Sequence, residues 1–213
     1  MRLLPGLMLL LPLVSPLAQA ELIDDVNDRG ELRIALEADV PPYSFKQDGH
    51  LTGFEVELGE LLAQELDVNA SLLVTDSNDL LQGVESGKYD VALNHMALTP
   101  DLENRFDFSE PYGYIQPRAI NRAAQPQTPT ALETFQGQLI GVVQGSPLVE
   151  HPPRVTVEDT RPVDDQRGTL AIPFQKGNPA FHNSLDKALQ RIKADGRLAA
   201  LSQKWLGPQT PQP

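Results

Sequence analysis

Leu51-Thr-Gly-Phe-Glu-Val-Glu57 is the stretch on which the reading of this chain turns. A turn signal, Asp48-Gly49, precedes it. From Phe54 the apolar residues fall on one helical face, at Phe54, Leu58, Leu61, Leu62 and Leu66, with acids opposite. Upstream, Leu32-Arg-Ile-Ala-Leu36 alternates like a strand and is ended by Pro41-Pro42. Downstream, residues 70–74 predict a second strand. Leu80, Leu81 and Val84 predict a short helix capped by Asn78 or Asp79 and stopped by Gly87, and Val91-Ala-Leu93 a third strand. A short helix over 21–28, closed by Gly30, stands in front of the series.

Strand, helix, strand, helix, strand in so short a span requires parallel pairing, hence an open α/β sheet. Ligands bind such sheets beyond the carboxyl ends of the strands, at a topological switch point. That rule places a cleft at residues 39–45, 76–78 and 94–99, and so near Tyr43, Phe45, Ser77, Asn94 and His95.

The first residues are not read as part of the fold. Arg2 gives a positive start, 3–17 is apolar apart from Pro, Gly and Ser15, and Ala18-Gln-Ala20 fits a cleavage site, so 1–20 is a signal peptide. The apolar run is shorter than the roughly 20 residues a spanning helix needs. The expectation is an exported, soluble protein. The absence of cysteine excludes a disulfide framework, thiolate metal sites and a lipidated mature N-terminus. The net charge of −12, one unit more negative once Arg2 is removed, disfavours nucleic acid and anionic membranes.

In the second half, residues 139–143 predict a strand leading into Gln144-Gly145-Ser146-Pro147, and Gly168-Thr-Leu-Ala-Ile172 a returning strand. Asn178-Pro179 reads as a helix start, with Phe181, Leu185, Leu189 and Ile192 as the buried stripe. Gly196 breaks that helix, a last one carries Leu198, Leu201 and Trp205, and 208–213 is a tail.

Three further runs, Lys88-Tyr-Asp-Val-Ala-Leu-Asn94, Phe106-Asp-Phe-Ser-Glu-Pro-Tyr112 and the closing Lys204-Trp-Leu-Gly207, complete an ordered pattern. It resembles that of the periplasmic amino-acid-binding proteins of ABC importers, solute-binding protein family 3, nearest to the cystine-binding ones. The resemblance implies a periplasmic-binding-protein-like α/β fold: an open, mostly parallel sheet with helices on both faces, in two lobes that close on a ligand. Lobe 1 would be 21–114 plus 176–207. Residues 115–175 would hold the crossing strands, at 114–121 and 168–175, and a second lobe of about 50 residues, roughly half the family's usual size and marginal as an independent fold. The implied setting is the periplasm, with a small polar ligand such as an amino acid, an ABC permease as partner, a monomeric state, and no cofactor or catalysis.

The same resemblance exposes departures. The family's covering aromatic is Val40 here, leaving Tyr43 or Phe45 either to cover a ligand or to pack the loop. Where the family presents a hydroxyl and then an arginine for the ligand's α-carboxylate, this chain has Ala97 and Leu102. Truncating one partner of a buried charged pair costs about 2–5 kcal/mol. Arg105 lies one helical step on and reaches the cleft, or else pairs with Asp101 or Glu103 at the surface. Ser146 matches a lobe 2 contact, although Pro147 removes the next amide donor. The lobe 2 acid that pairs with a ligand ammonium has no counterpart. His50, His151 and His182 lack metal-ligand spacing. Two other classes remain: an interaction or sensory module, including a decayed paralogue, and a dehydratase acting on prephenate-like acids. The second is disfavoured because no nucleophile–base pair stands at useful spacing.

Overall fold

The computed structural model describes residues 21–114 and 168–207. The expected signal peptide, Ser146, the strand expected over 139–143, most of the expected second lobe and the tail lie outside the described residues. The elements are α1 (Leu22–Arg29), β1 (Glu31–Leu36), β2 (Asp39–Val40), β3 (Ser44–Gln47), β4 (His50–Thr52), α2 (Phe54–Glu65), β5 (Asn69–Val74), α3 (Ser77–Glu85), β6 (Val91–Ala92), α4 (Pro100–Arg105) and β7 (Phe106–Phe108). After these come β8 (Gly113–Tyr114), β9 (Thr169–Leu170), β10 (Pro173–Gln175), α5 (Pro179–Ala194) and α6 (Arg197–Trp205).

The main sheet runs β5-β1-β6-β10-β7. β1 is parallel to both neighbours, with Ile34 opposite Leu72 and Val91, while β10 is antiparallel to β6 and β7. The sheet is therefore mixed, with the parallel part that the strand–helix alternation predicted. The period of two along β1 serves two cores at once. Leu32, Ile34 and Leu36 join one cluster with Phe54, Leu58, Phe174, Phe181 and Leu185, whereas Ala35 joins a second with Leu80, Val84, Tyr89 and Phe106. Helices thus cover both faces, and each fully buried Leu, Ile or Phe contributes about 1.5–3 kcal/mol.

Two caps differ from the sequence reading. Asp76 caps α3, accepting from Asn78 N and Asp79 N at 3.0 Å, in place of Asn78 or Asp79. Asn178 does precede α5, with Pro179 at its first position, but its side chain makes no bond to that helix. Its Oδ1 accepts instead from Leu22 N of α1 at 2.8 Å, and Glu21 Oε2 accepts from Ala180 N of α5 at 2.6 Å. The two helices cap each other's starts.

Where the chain leaves and re-enters these elements, β8 and β9 pair antiparallel, Gly113 opposite Leu170. The predicted returning strand is split in two. Thr169 and Leu170 pair with β8, and β10 then enters the main sheet.

Candidate functional site

At the carboxyl ends of β1 and β6 the chain places Glu37 beside Asn94, whose Nδ2 donates to Glu37 Oε2 at 2.8 Å. The third wall comes from the loop 41–44, and Gly53 fixes it there. Gly53 has φ +132°, and a Cβ on it would stand 2.2 Å from the Tyr43 carbonyl oxygen, so only glycine fits. That approach lets Phe54 N and Glu55 N donate to the Pro42 and Tyr43 carbonyls at 3.0 and 2.8 Å. The open amides at the start of α2 are thereby satisfied by the loop's backbone, with no capping side chain.

The docked loop sets Tyr43, whose ring stacks on His95 at 5.1 Å and meets Phe54 edge-on at 6.4 Å. Glu55 is wholly buried beside them. Its Oε1 accepts from the Tyr112 hydroxyl at 2.6 Å and from His95 N at 2.5 Å, and the latter bond holds His95 at φ +39°. Burial pushes the Glu55 carboxyl up to about 7, against the two hydrogen bonds that favour its charged form, and Glu37 nearby raises it further. Burial also lowers His95, which is therefore neutral at pH 7, and raises the hydroxyls of Tyr43 and Tyr112.

Buried polar atoms without a partner are uncommon in folded proteins. Among the described residues they are Ser44 Oγ, Glu55 Oε2, Asn94 Oδ1, His95 Nδ1 and Trp205 Nε1. Three of them belong to this one cluster, so its hydrogen-bonding capacity is not fully used within the described residues.

The sequence candidates divide. Tyr43, Asn94 and His95 come together here. Phe45 packs edge-on against Trp205 of α6 at 5.9 Å, which is the packing role. Ala97 is buried and bridges Leu170, tying the loop after β6 to the returning chain. Ser77 is the exposed first residue of α3. Arg105 pairs with Glu85 of α3 at 2.7 Å, both about half exposed, and not with Asp101 or Glu103. Leu102 packs against the second core cluster. Glu37, Glu55 and Tyr112 were missed. Glu55 stood in the opening motif itself, but the amphipathic rule assigned the acids of α2 to solvent. Glu57 obeys that rule, pairing with Lys204 at 2.5 Å, and Glu55 does not.

No group of three or more His, Cys, Asp or Glu among the described residues is placed to hold a metal ion, and no described helix is long and apolar enough to cross a membrane. Two open surface grooves lie elsewhere. One of about 250 Å³ is lined by Ile23, Glu65 and Arg191, and one of about 570 Å³ by Gly30, Gln64 and Asn69. The second sits by the opposite ends of β1 and β5, and neither touches the cluster described above.

The model of the bacterial extracellular solute-binding proteins, family 3, matches residues 32–208. The L-cystine-binding protein TcyJ of Escherichia coli is 29% identical, with 91% of this chain and 89% of the relative covered. That alignment runs over 237 positions, more than the 213 residues of this chain, so the relative carries stretches with no counterpart here. A probable amino-acid-binding protein, YxeM of Bacillus subtilis, is 23% identical over 80% of this chain and 65% of its own length. Among solved structures, an ancestral cationic amino-acid solute-binding protein superposes with a TM-score of 0.64 at 23% identity, covering 86% of this chain and 98% of its own. An ancestral cyclohexadienyl dehydratase superposes with a TM-score of 0.65 at 21% identity, covering 89% and 98%. At such identities the structures speak to the fold alone.

Proposed function

Because the chain belongs to the bacterial extracellular solute-binding proteins, family 3, we propose that it is exported through its signal peptide and works in the periplasm as the solute-binding partner of an ABC permease, with a specificity changed from that of its relatives. Its relatives are solute-binding proteins of the polar amino-acid transport type. The observation that carries the reading is the cluster of Glu37, Tyr43, Asn94 and His95, with its unpartnered polar atoms, at the sheet end where α/β folds bind ligands. In this reading 21–114 and 176–207 form lobe 1, and 115–175 forms the crossing strands and a reduced second lobe. A solute settles on the stacked Tyr43–His95 pair, and closure about the β8–β9 crossing covers it. The protein performs no catalysis.

Thermal unfolding of residues 21–213 against amino acids including cystine, dicarboxylates and amines tests this. A bound solute at about 100 times its dissociation constant adds about 2.7 kcal/mol, or roughly 5–10 °C for a chain of this size. A cooperative melt that no small solute moves overturns the reading and favours a partner-binding module on the same fold.

A further inference from the structure

We infer that this site takes a small cationic solute that carries no carboxylate, an alkyl amine or guanidine, in preference to an amino acid. The inference rests on the solute-binding reading above and names its ligand class.

Charge is the first support. The ionisable groups of the cluster are Glu37, Glu55, His95 and the Tyr43 and Tyr112 hydroxyls, so nothing in it is positive at neutral pH. The described arginines are engaged elsewhere: Arg29 and Arg33 grip Asp90 at 2.6 and 2.7 Å at the far end of the sheet, Arg105 holds Glu85, and Arg191 and Arg197 hold Glu65. An α-carboxylate entering here meets Glu37 without a lobe 1 cation to receive it, and like charges brought together out of water repel strongly.

Hydrogen-bonding capacity is the second. Asn94 uses its amide nitrogen on Glu37, so the atom it leaves over is the acceptor Oδ1. A ligand matching Asn94 Oδ1 and Glu37 must donate, and ammonium and guanidinium groups are donors with no acceptor. The aromatic surface is the third. Tyr43 is half-buried and stacked on a neutral His95, which offers a flat π face of the kind that cations favour.

Matched pairs differing only in the carboxylate give the test: agmatine against arginine, cadaverine against lysine, putrescine against ornithine, each titrated calorimetrically into residues 21–213. In at least one pair the decarboxylated member binds ten-fold or more tightly than its amino acid, and its affinity falls as salt rises. Glu37→Gln weakens that amine at least ten-fold while leaving the melting temperature of the free protein in place. Tighter binding of the amino acid overturns this inference and leaves the solute-binding reading standing. Silence from all six compounds and from the wider solute panel overturns both. An amine that binds equally well to Glu37→Gln overturns the role given to that carboxylate.

Discussion

Two buried carboxylates stand near opposite ends of β6, and the fold treats them differently. Asp90, just before the strand, is 1% exposed and fully answered. Arg29 and Arg33 both grip it, Arg33 through both carboxylate oxygens, and the Arg33 backbone N–H donates at 2.8 Å. Glu55, which holds the chain just after the strand, has among the described residues no cationic partner, two neutral donors on one oxygen and none on the other. The first arrangement locks α1, β1 and β6 together. The second leaves an acid whose protonation is balanced near neutrality beside the site. A buried carboxylate with matched partners fixes architecture, whereas one left half-matched keeps a protonation equilibrium open within the fold.

The largest effect that would break this comparison is expected from Asp90→Ala. It leaves two partly exposed guanidiniums without the buried carboxylate they share and lowers stability by about 3 kcal/mol, read as a drop of roughly 10 °C in melting temperature. A loss under about 1 kcal/mol would remove the structural role given to Asp90.

Next comes the pH dependence set by Glu55. Its native form holds the proton up to about pH 7, whereas the unfolded chain releases it near the ordinary 4.5. Between those values the native state binds more protons, so stability is fully present below 4.5 and falls by about 3 kcal/mol as the pH rises through 7. Urea unfolding at pH 4.5, 6 and 8 should show that fall, and Glu55→Gln should flatten it. An equal fall in Glu55→Gln assigns it to another group.

Tyr112→Phe should act more gently. It removes the stronger of the two bonds that favour the charged Glu55, costs about 1–2 kcal/mol, and moves the pH-dependent fall upward. A downward move would mean that the hydroxyl does not serve the charged form. The smallest effect belongs to Arg105→Ala, whose ion pair with Glu85 is exposed. Neither melting temperature nor solute affinity should change measurably, and a clear loss of affinity would return Arg105 to the cleft.

What the sequence made legible follows from which interactions are local. The stripes of α2 and α5, the stops at Gly30, Gly87 and Gly196, and the parallel strands were all readable because periodicity and backbone preference act over a few residues. Topology brought Tyr43, Asn94 and His95 to one end of the sheet, where the structure also gathers them. What escaped depends on distant partners. Glu55 is buried because Tyr112 and His95 reach it from far along the chain, and the Phe45–Trp205 contact joins the two ends of the described chain. Arg105 had acids beside it in sequence and chose Glu85, twenty residues back. Asn178 carried a valid cap signature but serves the start of α1. No local rule encodes any of these.

The exchange of caps between α1 and α5 bears on the order in which the molecule assembles. Leu22 N waits for Asn178, a residue 156 positions away, and Ala180 N waits for Glu21. A ribosome delivers the first helix long before the side chain that completes it. The core around α1 therefore closes late, after nearly the whole polypeptide is available, and contacts of such sequence separation slow folding. The first and last parts of the described chain thus complete one another, and neither helix start is satisfied by its own neighbours alone.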